Sequence, residues 1–247
     1  MQVTVLGACG AWPEAGQACS GFLVEQDGFR LVADLGYATM PRLLEHVPAG
    51  QVDAVFISHG HPDHCADLSP LLRARAMADE PPAALPVYAP AGALDAVLAL
   101  DLPGMLAGAI EVRDLSGGDD LAIGPFRAQT RLLPHWLPNA GLRLSADGQA
   151  IAYTGDSGPS PDVVELARGA AVLLAEATYV RDVPADSRGN LCSAAEAGEQ
   201  AARAGTGQLV LTHLWPGTAR EAAREAAAAA YRGPVSVARP GQVIDLP

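Results

Sequence analysis

The stretch Ser58-His59-Gly60-His61-Pro62-Asp63-His64 constrains this chain more than any other, because it sets three imidazoles and a carboxylate within the six residues from His59 to His64. Before it, Asp53-Ala54-Val55-Phe56-Ile57 is apolar, β-branched and aromatic, the pattern of a short buried strand. After it, Asp67-Leu68-Ser69-Pro70-Leu71-Leu72 reads as the start of a helix. The cluster therefore belongs on a strand-to-helix turn, where rigid flanking elements aim side chains at one point. Neutral imidazole and carboxylate suit zinc and other first-row divalent ions. His59 and His61 are two apart, so an extended backbone points them the same way. Asp63 and His64 are adjacent, point apart, and are free to serve a second ion. A merely solvated turn is a poor account of three histidines in so short a span.

The rest of the chain supplies a scaffold. Residues 3–6, 21–25 and 29–33 read as strands, the last two joined by a hairpin at Asp27-Gly28. The loop Gly7-Ala8-Cys9-Gly10-Ala11-Trp12-Pro13 is either a close approach to a ligand or a plain connection. Asp34 is either a turn residue or a support for a metal ligand. A helix is expected over 39–47, strands over 86–89 and 110–112, and a helix over 92–100. An antiparallel series follows at 121–123, 126–133, 141–145 and 150–154. Then come a helix over 161–168, a strand over 171–175, and a helix over 193–204 with the capping-box pair Ser193 and Glu196. A strand at 209–211, a helix over 218–231 and strands at 235–237 and 243–244 close the chain. This alternation suggests two sheets packed face to face and covered outside by helices.

The remaining histidines fall where such a scaffold gathers a site. Of six histidines, His46 near a helix end is explained by the helix dipole or the surface. His135 follows the strand ending Leu132-Leu133-Pro134, Asp156 follows Ala152-Tyr153-Thr154-Gly155, and His213 follows Leu209-Val210-Leu211-Thr212. Each lies just past a strand end. Singly, Asp156 is a turn residue and either histidine a satisfied core group; together they form a candidate ligand set.

Composition excludes several classes. The net charge is −12, and all 16 basic residues are Arg. Such a surface opposes a long phosphate backbone, so no long nucleic acid is expected as a partner; a small anion on a cationic metal centre is compatible with it. No apolar run reaches the length of a membrane span, and no membrane partner is expected. Met1-Gln2-Val3-Thr4-Val5-Leu6 leads straight into a strand without a basic-then-apolar leader. Cys9, Cys19, Cys65 and Cys192 are scattered and read as reduced thiols, so the expected location is cytoplasmic. The hydrophobic fraction of 49% supports one sizeable domain over 1–247. The readings leave room for a homodimer.

The spacing His-x-His-x-Asp-His resembles the signature of the metallo-β-lactamase-fold hydrolases. Other stretches resemble the ribonuclease Z-like branch, especially small bacterial phosphodiesterases related to cyclic-nucleotide hydrolases. They are Val32-Ala33-Asp34-Leu35-Gly36, Gly155-Asp156-Ser157-Gly158, Ala175-Glu176-Ala177-Thr178-Tyr179, Glu196-Ala197-Gly198 and Leu209 to Leu214. The resemblance implies an α/β fold of the four-layer αββα sandwich type. It implies two divalent ions, zinc or manganese. One would take His59, His61 and His135, the other Asp63, His64 and His213, with Asp156 bridging. It implies catalytic roles for Asp63, which orients or deprotonates the attacking water, and for Glu176. The expected activity is a metal-dependent phosphodiesterase acting on a small molecule such as a cyclic nucleotide. The alternative is a thioester, lactone or amide hydrolase, or a specialised metabolic enzyme on the same site; a redox or purely metal-binding protein ranks below both. One departure matters. In this branch a His lies five residues before Glu-Ala-Gly, pairs with the Glu of Glu-Ala-Thr and helps protonate the leaving oxygen. Leu191 stands there and has no proton to give. Trp136 and Trp215 are either an apolar wall near the metals or core packing.

Overall fold

The computed structural model describes residues 1–246. Its strands are β1 (Gln2–Gly7), β2 (Gly21–Gln26), β3 (Phe29–Leu35), β4 (Ala54–Phe56), β5 (Leu85–Pro90), β6 (Ile110–Leu115), β7 (Asp120–Ile123), β8 (Phe126–Leu133), β9 (Asn139–Ala146), β10 (Gln149–Tyr153), β11 (Val172–Glu176), β12 (Gln208–Thr212), β13 (Val235–Val237) and β14 (Val243–Asp245). The helices are α1 (Thr39–Leu43), α2 (Pro62–Cys65), α3 (Leu68–Ala76), α4 (Asp95–Leu98), α5 (Pro161–Leu166), α6 (Ala194–Ala204) and α7 (Arg220–Ala228). They form two seven-stranded sheets, ordered β14-β1-β2-β3-β4-β5-β6 and β13-β12-β11-β10-β9-β8-β7. In each sheet, hairpin-connected antiparallel strands join parallel ones that are linked by helical crossovers.

The inner strands β3, β4, β10, β11 and β12 read as largely apolar runs because both of their faces are covered. Residues on alternate sides of one strand enter different layers. Phe22, Val24, Leu31, Ala33 and Phe56 face the second sheet, where they meet Phe126, Leu142, Tyr153 and Leu174. Leu23, Val32, Val55 and Ile57 face the other way, against Leu43, Leu68, Leu71 and Leu72 of the outer helical layer. On the far side, Leu173, Leu209 and Leu211 pack on α5, α6 and α7 through Val163, Ala197, Ala201 and Ala223. This is the expected αββα sandwich. Each large side chain buried between the sheets contributes about 1.5–3 kcal/mol of transfer free energy.

Local sequence rules hold at the turns. Asp27-Gly28 and Asp147-Gly148 all have positive φ, the requirement of a tight I′ hairpin turn. Ser193 and Glu196 close a reciprocal capping box on α6. Four expected helices are shorter than their patterns: 39–47 is α-helical only through Leu43, 92–100 only over Asp95–Leu98, 161–168 only through Leu166 and 218–231 only over Arg220–Ala228. Among the described residues, no helix is long and apolar enough to cross a membrane.

Candidate metal centre

The ends of β3, β4, β8, β10, β11 and β12 converge on one cleft. After β4, Ile57-Ser58-His59-Gly60-His61 runs without regular structure, and Pro62 then opens the single turn α2. Proline at a helix start fixes φ and loses no needed donor. The extended segment sends His59 and His61 to one group, as their spacing predicts. Asp63 and His64 do not diverge: the helical turn brings His64 Nε2 to 3.7 Å from Asp63 Oδ2, within the second group. The expectation that they point apart is corrected by backbone geometry, because adjacent side chains alternate only in extended chain.

All seven expected ligand side chains come together. His59, His61, His135 and Asp156 form one cluster; Asp63, His64, Asp156 and His213 form the other. His61 Nδ1 lies 3.0 Å from His59 Nε2 and 3.1 Å from His135 Nε2. Asp156 stands between the clusters. Its Oδ1 is 3.2 Å from His64 Nε2, and its Oδ2 is 3.2 Å from His213 Nε2 and 3.9 Å from His59 Nε2.

The outer hydrogen bonds fix which ring nitrogen faces inward. His64 Nδ1 donates to Asp34 Oδ2 at 2.7 Å, and His135 Nδ1 donates to the Asn190 carbonyl at 3.0 Å. Thr178 Oγ1 donates to Glu176, so it accepts from His213 Nδ1 at 3.0 Å. Ser58 Oγ donates to Asp34, so it accepts from His59 Nδ1 at 3.1 Å. Each of these four rings therefore presents a bare Nε2 to the centre. Two of the inward atoms, His64 Nε2 and Asp156 Oδ1, are buried without a hydrogen-bond partner. Lone pairs collected in a buried space repel one another unless a cation or protons intervene. The donor set of imidazole nitrogen and carboxylate oxygen fits divalent transition ions.

Supporting residues store strain to hold this arrangement. Asp34 and His213 sit at φ 59° and 57°, left-handed conformations that cost about 1–3 kcal/mol each in a non-glycine residue. Asp34 is wholly buried and accepts from Ser58 N, Ser58 Oγ, His64 Nδ1 and Tyr153 Oη, all at 2.6–2.7 Å. Of its two sequence readings, metal-ligand support is the one this network favours. Gly36 lets the chain pass the turn: a Cβ there would lie 1.9 Å from the Asp63 carbonyl oxygen. The early glycine loop also approaches closely, and Ala11 N donates to Asp63 Oδ2 at 2.8 Å.

Charge follows from this packing. Burial opposes ionisation of Asp63; positive charge on the His64 and His213 rings, a role that a bound cation would take over where those rings present a bare Nε2, outweighs it and holds the carboxyl well below the usual range. Burial and the charge of Asp156 push Glu176 up to about 8, opposed by His213 and by donors from Thr178. Glu176 lies outside the cleft wall. Its oxygens accept from Ser157 N, Thr178 N, Thr178 Oγ1 and Cys192 N, so they tie together the strand ends that carry Asp156 and His213.

The cleft encloses about 480 Å³. Asp63 lines it, and Leu191 forms part of its wall. Trp136 and Trp215 also line it and are 50% and 39% exposed, so they are wall rather than core. Trp215 packs between Trp12 and Tyr179, tilted 49° to each, with ring centroids 5.8 and 5.6 Å away. Tyr179, Asp186 and Ser187 complete one side through a chain of hydrogen bonds, Tyr179 Oη to Ser187 Oγ to Asp186 Oδ1, each 3.2 Å. Sequence reasoning missed Asp186 and Ser187 because residues 180–190 carry no periodic or ligand-like signal.

Comparison with known proteins agrees with this geometry. The family model for the beta-lactamase superfamily domain matches residues 33–214. A probable metallo-hydrolase, YhfI of Bacillus subtilis, is 30% identical over 98% of this chain and 99% of its own length. Its crystal structure superposes with a TM-score of 0.90 over 99% of both chains. A ribonuclease Z of Mycolicibacterium gilvum is 28% identical over 87% of this chain and 85% of its own. A match that includes all six strand-end segments of the cleft, and a relative alike from end to end, make the assignment plain: this chain belongs to the β-lactamase superfamily and has the metallo-β-lactamase fold.

Proposed function

We propose that this chain is a dinuclear metal hydrolase of a small phosphodiester, of which a cyclic nucleotide is the leading candidate. The observation that carries it is Asp156 standing between two histidine clusters, each with bare nitrogens turned inward. His59, His61 and His135 would hold one divalent ion, and Asp63, His64 and His213 the other, with Asp156 shared. Two such ions, zinc or manganese, supply a nucleophile at neutral pH and stabilise charge developing on the phosphoryl oxygens.

The chain's own residues do the rest. Asp63, held ionised and fixed by Ala11 N, orients the attacking water. Glu176 acts as a positioning residue through Thr178, Ser157 and Cys192. Trp136, Trp215 and Tyr179 offer flat apolar faces to a planar base. Among the described residues no arginine lines the cleft, which suits one phosphodiester charge better than a polyphosphate. With Leu191 in the wall, the cleft offers a leaving alkoxide the hydroxyls of Tyr179 and Ser187, which share one hydrogen-bond chain, and Tyr179 is the proton donor proposed here. Ribonuclease Z among the relatives supports a phosphodiester as substrate class; the charge of −12 argues against tRNA itself. Four unpaired, buried cysteines support a reducing compartment.

Leu191 also favours a second reading, in which the cleft takes a thioester, lactone or amide. Metal-loaded protein should be assayed with bis(p-nitrophenyl) phosphate, cyclic nucleotides and a panel of thioesters and lactones. Cleavage of the phosphodiesters, abolished by Asp156→Ala, supports the first reading. Thioester or lactone turnover without phosphodiester cleavage overturns it.

A further inference from the structure

A second cavity, of about 680 Å³, lies where the start of α7 meets β13 and the turn that follows it. It shares no residue with the metal cleft. Its wall includes Arg220, Arg224 and Arg239, with Glu221 as the one carboxylate among its described lining residues, in a chain with 28 acidic and 16 basic residues. Arg224 is already neutralised by Glu221, whose oxygens lie 3.0 Å from its Nε. Arg220 and Arg239 have no carboxylate partner among the described residues. Arg220 Nη2 donates to the carbonyls of Val237 and Ala238 at 2.9 and 2.6 Å, while its Nε is buried with no acceptor.

Two like charges at one cavity repel, and a buried guanidinium nitrogen without an acceptor is a standing cost. The strain is visible in Arg220, whose pKa is lowered by burial and then by Arg239. A resident carboxylate would relieve both, and an acid-rich sequence had many to offer. The first turn of α7 adds unpaired backbone N–H groups, since Ala219 provides no side-chain cap.

We propose that this cavity is a binding site for a small phosphate-bearing anion. Charge favours phosphate over a simple carboxylate: near neutral pH a phosphate monoester carries about −1.5 to −2, enough to balance both free guanidiniums. A carboxylate would balance one. Planar guanidinium forks match phosphate oxygens in pairs. The site is independent of the chemistry proposed for the metal cleft.

The test is calorimetric titration of the metal-loaded protein with inorganic phosphate and pyrophosphate. The metal cleft can also take these anions, so the readout is a difference between proteins. Wild type should bind one equivalent more than Arg239→Gln, or bind it at least tenfold more tightly. Arg239 makes no side-chain bond that folding requires, so this variant isolates the charge; Arg220→Gln would also cut the ties to Val237 and Ala238. Arg239→Glu should place an internal carboxylate beside Arg220, abolish the extra equivalent and raise Tm. Equal stoichiometry and affinity in wild type and both Arg239 variants would overturn the proposal. Acetate binding the cavity as tightly as phosphate would overturn the choice of a dianion.

Discussion

Replacing Asp34 by Asn tests how the centre is held. Asn tolerates the left-handed backbone nearly as well as Asp, so φ 59° is not the source of any effect. In the wild type, Oδ2 accepts from Ser58 Oγ, His64 Nδ1 and Tyr153 Oη, and Oδ1 accepts from Ser58 N at 2.7 Å. With the amide nitrogen in the Oδ1 position, it faces the Ser58 N–H, donor to donor. Losing that bond and leaving the donor buried costs about 1–3 kcal/mol. The three bonds to Oδ2 persist but lose charge assistance, at about 1 kcal/mol each. The metal-free protein should therefore lose about 4–6 kcal/mol, measured by urea unfolding followed through tryptophan fluorescence. Metal affinity should fall about 10–100-fold, because His64 Nδ1 loses the anion that orients the ring and raises its basicity. Chelator competition reads this directly. Asp34→Asn binding metal as tightly as wild type would refute the claim that this carboxylate organises the His64 side of the centre.

Tyr179→Phe should lower kcat/KM on cyclic nucleotides about 10²-fold while sparing bis(p-nitrophenyl) phosphate, whose leaving group needs no proton; equal losses on both would remove Tyr179 as the donor. Leu191→His should raise cyclic-nucleotide cleavage by no more than about tenfold, because Glu176 already accepts four donors and cannot orient the new ring without losing one; a larger gain would show that Glu176 readily exchanges partners. Gly36→Ala should destabilise by about 1–3 kcal/mol and displace Asp63, since overpacked backbone must move; unchanged Tm and metal stoichiometry would contradict this. Filter binding at ordinary salt should show no tight retention of pre-tRNA, given the −12 charge; submicromolar, salt-sensitive binding would count against the substrate assignment.

Much of the scaffold was legible because its signals are local. Apolar runs bounded by Gly and Asp gave the strands, the Asp-Gly pairs gave the hairpins, and Ser193 with Glu196 gave a helix start. The histidine cluster was legible for the same reason: its residues are neighbours in the chain. His135, Asp156 and His213 were recognisable only as a set past strand ends, and their grouping came from family resemblance. Tertiary structure decided what depends on distant segments meeting. Asp34 could be a turn residue or a metal support until Tyr153, from the other sheet, was seen to donate to it across 119 positions of sequence. Trp136 and Trp215 could be core or wall until their exposure placed them at the cleft. Glu176 kept four partners without the missing histidine, because three of its donors are backbone N–H groups that no side-chain pattern records. The Arg220–Arg239 cavity was invisible in a sequence of scattered arginines. Spacing reports direction along one strand or helix, whereas unpaired charge and orphaned donors exist only once the chain has packed.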